Sequence, residues 1–280
     1  MVDHFAYGFL TPAIAYAVSV IGAFVGLMFT ARARNAFGVA RWTWLTLSAV
    51  CIGGTAVWSM HFIAMLGFQV SGASIRYDTA LTVASGLLAI AVMGVALYMT
   101  INRRTRGALL LGGAIAGLGI VSMHYMGMAS INMHGDMHHD PLYVGLAGVI
   151  AVVAATVALW FSLRLKGIPA TLAASLIMGV AVSSMHYTGM IGVDVTMHSD
   201  SHATQVEGAA ASELLLPLVI GLFVFLMVCS LLLMLGVDDT GARRPSRAAG
   251  RAAPSTPASQ EGDERYDPRH RSPGAWERRR

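Results

Sequence analysis

Apolar residues in this chain come in long unbroken runs, and polar residues are confined to the junctions between them. Seven runs reach the roughly 20 residues that a bilayer-spanning helix needs. They cover about 10–31, 42–66, 79–101, 108–131, 142–163, 170–193 and 214–236. The pattern predicts an all-α membrane protein with seven transmembrane helices. The segment before the first run, Met1-Val2-Asp3-His4-Phe5, has no basic n-region of Lys or Arg, and no small-residue cleavage site follows. The first run is therefore read as a retained span, not a removed signal peptide.

Composition agrees with this reading. The chain is 55% hydrophobic and only 12% charged, which argues against a soluble globular domain. The distribution of charge orients the spans. Arg32, Arg34, Arg41, Arg103, Arg104, Arg106, Arg164 and Lys166 follow the first, third and fifth spans, whereas Arg76 stands alone on the other side. Basic loops stay in the cytoplasm, so the N-terminus is expected outside and the C-terminus inside. The opposite loops carry Asp78, Asp136, Asp140, Asp194, Asp200, Glu207 and Glu213. The net charge of +4 reflects this asymmetry and gives no reason to expect nucleic acid as a partner. From Asp238 onward the chain is rich in Arg, Pro, Ser and Ala without apolar periodicity, the signature of disorder. The expected organisation is a membrane domain over 1–237 and a disordered cytoplasmic tail over 238–280. Cys51 and Cys229 fall mid-span without Cys-x-x-Cys spacing and read as small buried hydrophobes.

One motif recurs near the ends of the second, fourth and sixth runs. It reads Ser59-Met60-His61-Phe62-Ile63-Ala64-Met65, then Ser122-Met123-His124-Tyr125-Met126-Gly127-Met128, then Ser184-Met185-His186-Tyr187-Thr188-Gly189-Met190. The copies are about 62 residues apart, one helix-loop-helix each, so the first six spans read as three two-helix repeats plus a seventh helix. Gly53, Gly54, Gly112, Gly113, Gly117, Gly119 and Gly179 precede the motifs. Small residues let membrane helices approach closely, and these are expected to bring the second, fourth and sixth spans together.

Residues four apart share a helix face. His61 and Met65, His124 and Met128, and His186 and Met190 are therefore the candidate metal ligands. Imidazole with thioether suits copper, above all Cu(I), and not calcium, magnesium or manganese. Zinc gains little from Met. A His within a span is a functional candidate because burying it without a partner is costly. Met60, Met123 and Met185 lie about 100° around the helix from each His and are secondary contacts. Met133, His134, Met137, His138 and His139 after the fourth span, and Met197, His198 and His202 after the sixth, form polar loops suited to loose copper capture. Phe62, Tyr125 and Tyr187 fit the aromatic belt at a membrane interface.

The three motifs closely resemble the MHYT domain of bacterial membrane proteins. The third copy contains the literal Met185-His186-Tyr187-Thr188, the second departs at Met126, and the first departs at Phe62 and Ile63. The resemblance covers about residues 5–236 and implies a sensor in the bacterial cytoplasmic (inner) membrane. It further implies copper held by His and Met, through which oxygen, carbon monoxide or nitric oxide is sensed. Many members of the family carry diguanylate cyclase and phosphodiesterase domains or a kinase. The stretch after Asp238 is too short for one, so output is expected through a separate signalling or respiratory partner protein or through the tail. No nucleophile–base pair, phosphate loop or acidic pair points to an enzyme. The alternatives are a copper-handling or copper-delivery membrane protein, and a haem-binding membrane protein ligated by two motif His residues.

Overall fold

A computed structural model describes residues 2–3, 6–71, 73–197 and 206–241. Seven helices form among the described residues: α1 (Leu10–Asn35), α2 (Gly38–Met65), α3 (Thr79–Arg103), α4 (Arg106–Ala129), α5 (Pro141–Arg164), α6 (Ile168–Ile191) and α7 (Ala211–Gly241). Each is long and apolar enough to cross a membrane. Contacts divide the chain into Met1–Asp239 and Thr240–Arg280. Residues 242–280, which hold nearly all of the expected tail, lie outside the described residues, as do His4, His198 and His202.

The all-α expectation needs one amendment. Three antiparallel two-stranded ladders cap the end of the bundle that carries the motifs. β1 (Val2–Asp3) pairs with β2 (Gln69–Val70), β3 (Arg76–Tyr77) with β4 (Ile131–Asn132), and β5 (Gly135–His139) with β6 (Val193–Met197). Each ladder joins the segment before a helix pair to the segment after it. The stretches expected as polar loops around His138 and Val195 are therefore strands. Val193, Val195 and Met197 alternating with Asp194 and Thr196 show the period of two that a strand requires.

Side chains at this end start two of the helices. The Asp78 carboxylate accepts from the Leu81 N–H and the Asp140 carboxylate from the Leu142 N–H, at 2.9 and 2.8 Å. Each satisfies an N–H that the first helical turn leaves unpaired. Asp140→Ala is expected to lower stability by about 1 kcal/mol, read as a lower thermal midpoint in detergent.

Neighbouring helices from α1 to α6 pack in sequence, and α6 returns to α1, closing a ring. α2 is the most enclosed span, with 89% of its most apolar stretch buried against 18% for α7. Residues 50–59 of α2 form a π-helix that no sequence signal announced. Its glycines accept close neighbours: a Cβ on Gly53 would stand 2.6 Å from the Ala89 carbonyl oxygen of α3. From the other side, a Cβ on Gly22 of α1 would stand 2.7 Å from the Ala56 nitrogen. The Ser59 hydroxyl donates to the Gly54 carbonyl five residues back, at 3.0 Å, matching the wide turn.

The small residues before the motifs do not face one another. Gly112 of α4 receives Thr100 of α3 and Leu159 of α5, Gly113 and Gly117 receive Thr156 and Val152 of α5, Gly119 receives Val92 of α3, and Gly179 of α6 receives Tyr16 and Val20 of α1. They set the spacing between even- and odd-numbered helices, so the expected central contact of α2, α4 and α6 is made nearer the ladders, in the motif itself. α7 lies outside the ring. The Arg32 guanidinium of α1 donates to its Leu232 and Leu233 carbonyls at 3.4 and 2.6 Å. Cys229 of α7 sits beside Cys51 of α2, both fully buried in one cluster with Phe29. The two cysteines are small buried groups as expected, but they are neighbours, which their sequence separation concealed.

Candidate metal centre

The last two turns of α2, α4 and α6 bring the motifs together. His61, His124 and His186 are each 1% exposed or less. Their Nδ1 atoms form a triangle with sides of 3.0, 3.1 and 3.4 Å. The rings meet edge to face, with interplanar angles of 75°, 80° and 81°, like the blades of a propeller. A point equidistant from the three nitrogens lies about 1.8 Å from each, close to the ~2.0–2.1 Å of a metal–imidazole bond.

Protons alone do not satisfy this triangle. A ring nitrogen is either a donor or an acceptor, never both. Around three mutual contacts, at least one must then set donor against donor or lone pair against lone pair. A cation at the centre accepts all three lone pairs and removes the conflict. The protons then belong on Nε2. The Nε2 atoms of His61 and His124 are buried without a hydrogen-bond partner. They point at motif glycines: a Cβ on Gly127 would lie 2.5 Å from His61 Nε2, and one on Gly189 would lie 2.7 Å from His124 Nε2. His61 and His124 are thus each wedged between the triangle and the bare backbone of the next helix. Sequence reasoning included these glycines in the motif without assigning them this role.

The motif methionines separate into two groups. Met65, Met128 and Met190 come together in a buried cluster with Phe68, Val70 and Val193, against which Met133 and Met137 also pack. Since each follows its His by one turn, this thioether layer lies between the triad and the ladders. Met60 packs instead with Ala15, Ile63 and Ala64, and Met123 and Met185 belong to the main core. These three are not gathered into one cluster of their own.

Phe62 is buried in the core and is no part of an interface belt, whereas Tyr125 and Tyr187 are half-buried. Phe62, Tyr125 and Tyr187 stand edge-on to the His that each follows, with centroids 4.8, 4.8 and 4.9 Å apart, and Phe62 is fully buried. They hold the imidazole planes. His139 of β5 extends one such stack, 5.2 Å from the Tyr125 ring. Its burial, and secondarily His138, hold its pKa below the ordinary histidine value. His138 and Met197 are exposed, and His134 is half-buried, so these loop candidates lie away from the triad's enclosed centre. No Asp, Glu, Lys or Arg is buried among the described residues. The site's net charge is therefore that of whatever ion it holds.

Two segments, residues 54–113 and 117–175, match the MHYT family model, described as a bacterial signalling protein N-terminal repeat. Each match begins seven residues before a motif histidine, and the third motif lies beyond both. The chain is 34% identical over 200 residues to the bifunctional diguanylate cyclase/cyclic di-GMP phosphodiesterase MucR of Pseudomonas aeruginosa, covering 69% of this chain and 29% of that protein. It is 35% identical over 187 residues to the cyclic di-GMP phosphodiesterase NbdA of the same organism, covering 64% and 23%. It is 27% identical over 206 residues to the signaling protein YkoW of Bacillus subtilis, covering 70% and 25%. The chain thus spans less than a third of the length of these relatives. No solved structure matches it.

Proposed function

We propose, for a membrane protein that carries the MHYT repeat of bacterial signalling proteins, that it is a sensor module reading its ligand through copper held by His61, His124 and His186. The observation that carries this reading is the triangle of Nδ1 atoms, which three neutral imidazoles cannot satisfy among themselves.

Electrostatics favours copper as Cu(I). With neutral ligands and no buried carboxylate, the ion's whole charge is placed in a low-dielectric interior. That cost rises steeply with charge, so a monovalent ion is preferred to zinc. Met65, Met128 and Met190 offer soft donors one turn away. Haem is disfavoured, because two imidazoles on opposite faces of one metal stand about 4 Å apart, further than any side of the triangle.

A bound copper ion supplies an open coordination position for oxygen, carbon monoxide or nitric oxide. The chain supplies the rest. The neighbouring aromatics fix the imidazole planes, Gly127 and Gly189 fix the depth of His61 and His124, and apolar packing excludes water. A shift at His61 passes into the π-helical turns of α2, which touch α7 through Cys51 and Cys229. α7 leads to the tail over 238–280 or to a separate signalling or respiratory partner. The arginine distribution supports an outside N-terminus in a bacterial cytoplasmic membrane. The ladders that close each helix pair support three two-helix repeats within a 1–237 domain. Copper handling is the second reading, favoured by the thioether layer outside the triad.

The test is the metal content and absorption spectrum of protein purified in detergent without metal-binding tags. One copper per chain, with no Soret band, is the expected result. Stoichiometric zinc sinks the copper assignment, and no metal under copper-replete conditions sinks the centre.

A further inference from the structure

On the side of the triad away from the methionines, the bundle is hollow. A cavity of about 30 Å³ lies among α2, α3, α4, α5 and α6. Its wall includes Val57, Ile120 and Val182, the residues four before His61, His124 and His186. Residues four apart stack one turn above another on the same helix face. The cavity therefore reaches to within about one turn of all three imidazoles.

The chemistry of the wall selects the occupant. Every lining side chain is Ala, Val, Ile or Met. A single water needs only ~10–15 Å³, but it also needs two to four polar partners. The cavity is large enough for water and offers it nothing to bond. An ion would have no ligands beyond thioethers scattered through the wall. What fits is an uncharged apolar molecule of one or two heavy atoms. Access also favours such a molecule. Ala154 of α5 and Ala181 and Val182 of α6 are half-buried, so the wall is thinnest between these helices and faces hydrocarbon. An apolar gas entering there avoids the polar ladders that cap the motif end.

We propose that this cavity is a docking site for a small apolar gas molecule, filled from the bilayer between α5 and α6 and held one turn beneath the His triad. Its use in sensing rests on the metal-centre reading, but its occupancy does not. The triad then has two chemically opposite neighbours: a soft-ligand layer on one face and a dry gas pocket on the other.

Xenon is the probe. Metal-free protein, crystallised and pressurised with xenon, should show density bounded by Val57, Ile120 and Ala155. ¹²⁹Xe NMR in detergent should show a matching bound fraction. Ala155→Ile fills the cavity and is expected to lower xenon binding about tenfold, whereas Ile120→Ala enlarges it and should raise binding. The opposite signs guard against a variant that merely misfolds. His61→Ala should keep xenon while losing copper. Absence of xenon from this position, or equal binding by both cavity variants, overturns the proposal. Xenon binding by a wild-type protein that never takes up metal refutes the metal centre alone and leaves the gas site standing.

Discussion

Protein carrying His124→Ala is expected to retain less than about a tenth of the wild-type copper after dialysis, since even outer-shell changes cost 10–100-fold in metal affinity. His124 contributes one corner of the triangle, and no other described Asp, Glu, Cys or His is grouped there to replace it. The loss should be specific. Without metal, the three nitrogens already hold an unavoidable like–like contact, so deleting one removes a conflict as well as some packing. The metal-free variant should therefore melt close to metal-free wild type. With metal added, wild type alone gains, by about 2.7 kcal/mol when copper is a hundredfold above its Kd. Metal analysis and thermal melts with and without copper read both effects. A variant that keeps full copper stoichiometry would show that the ion sits elsewhere.

Gly189→Ala should weaken the same site without touching a ligand. The added Cβ would stand 2.7 Å from His124 Nε2 and 3.3 Å from Cδ2. The ring cannot retreat, because its opposite edge already meets His61 and His186 at 3.1 and 3.4 Å. The imidazole must tilt out of the triangle. Overpacking of this kind costs about 1–3 kcal/mol, or roughly five- to 150-fold in copper affinity if it falls on the site. Competition with a chelator of known copper affinity measures it. Gly145→Ala is the control, because nothing lies within 4 Å of that position. Equal affinities for the two variants would refute the wedge.

The spans were legible because a bilayer leaves little choice. Each helix must present an unbroken apolar run, and the seven runs match α1 to α7 within a few residues at most ends. The triad was legible because the three histidines repeat in register. Other features were hidden for identifiable reasons. The division between His61 and Met65 depends on which neighbour each side chain meets, and a shared helix face does not determine that. Two-residue strands such as β3 are too short to show a period. The faces used by Gly113 and Gly117 depend on where α5 packs. The cavity is the sum of small side chains on five helices, and no single stretch of sequence displays it.

The π-helical turns of α2 bear on how the three histidines stay level. His61 is the twenty-fourth residue of its helix, while His124 and His186 are each the nineteenth of theirs. Three legs of unequal length nevertheless meet at one point. Wide turns hold more residues in a given length, and α2 takes up part of its surplus there. An inserted residue ahead of His124 or His186 has no such reserve and swings the imidazole about 100° away from the centre. In α2 the same insertion can be absorbed upstream. Register at the motif is therefore less strictly set in α2 than in α4 or α6.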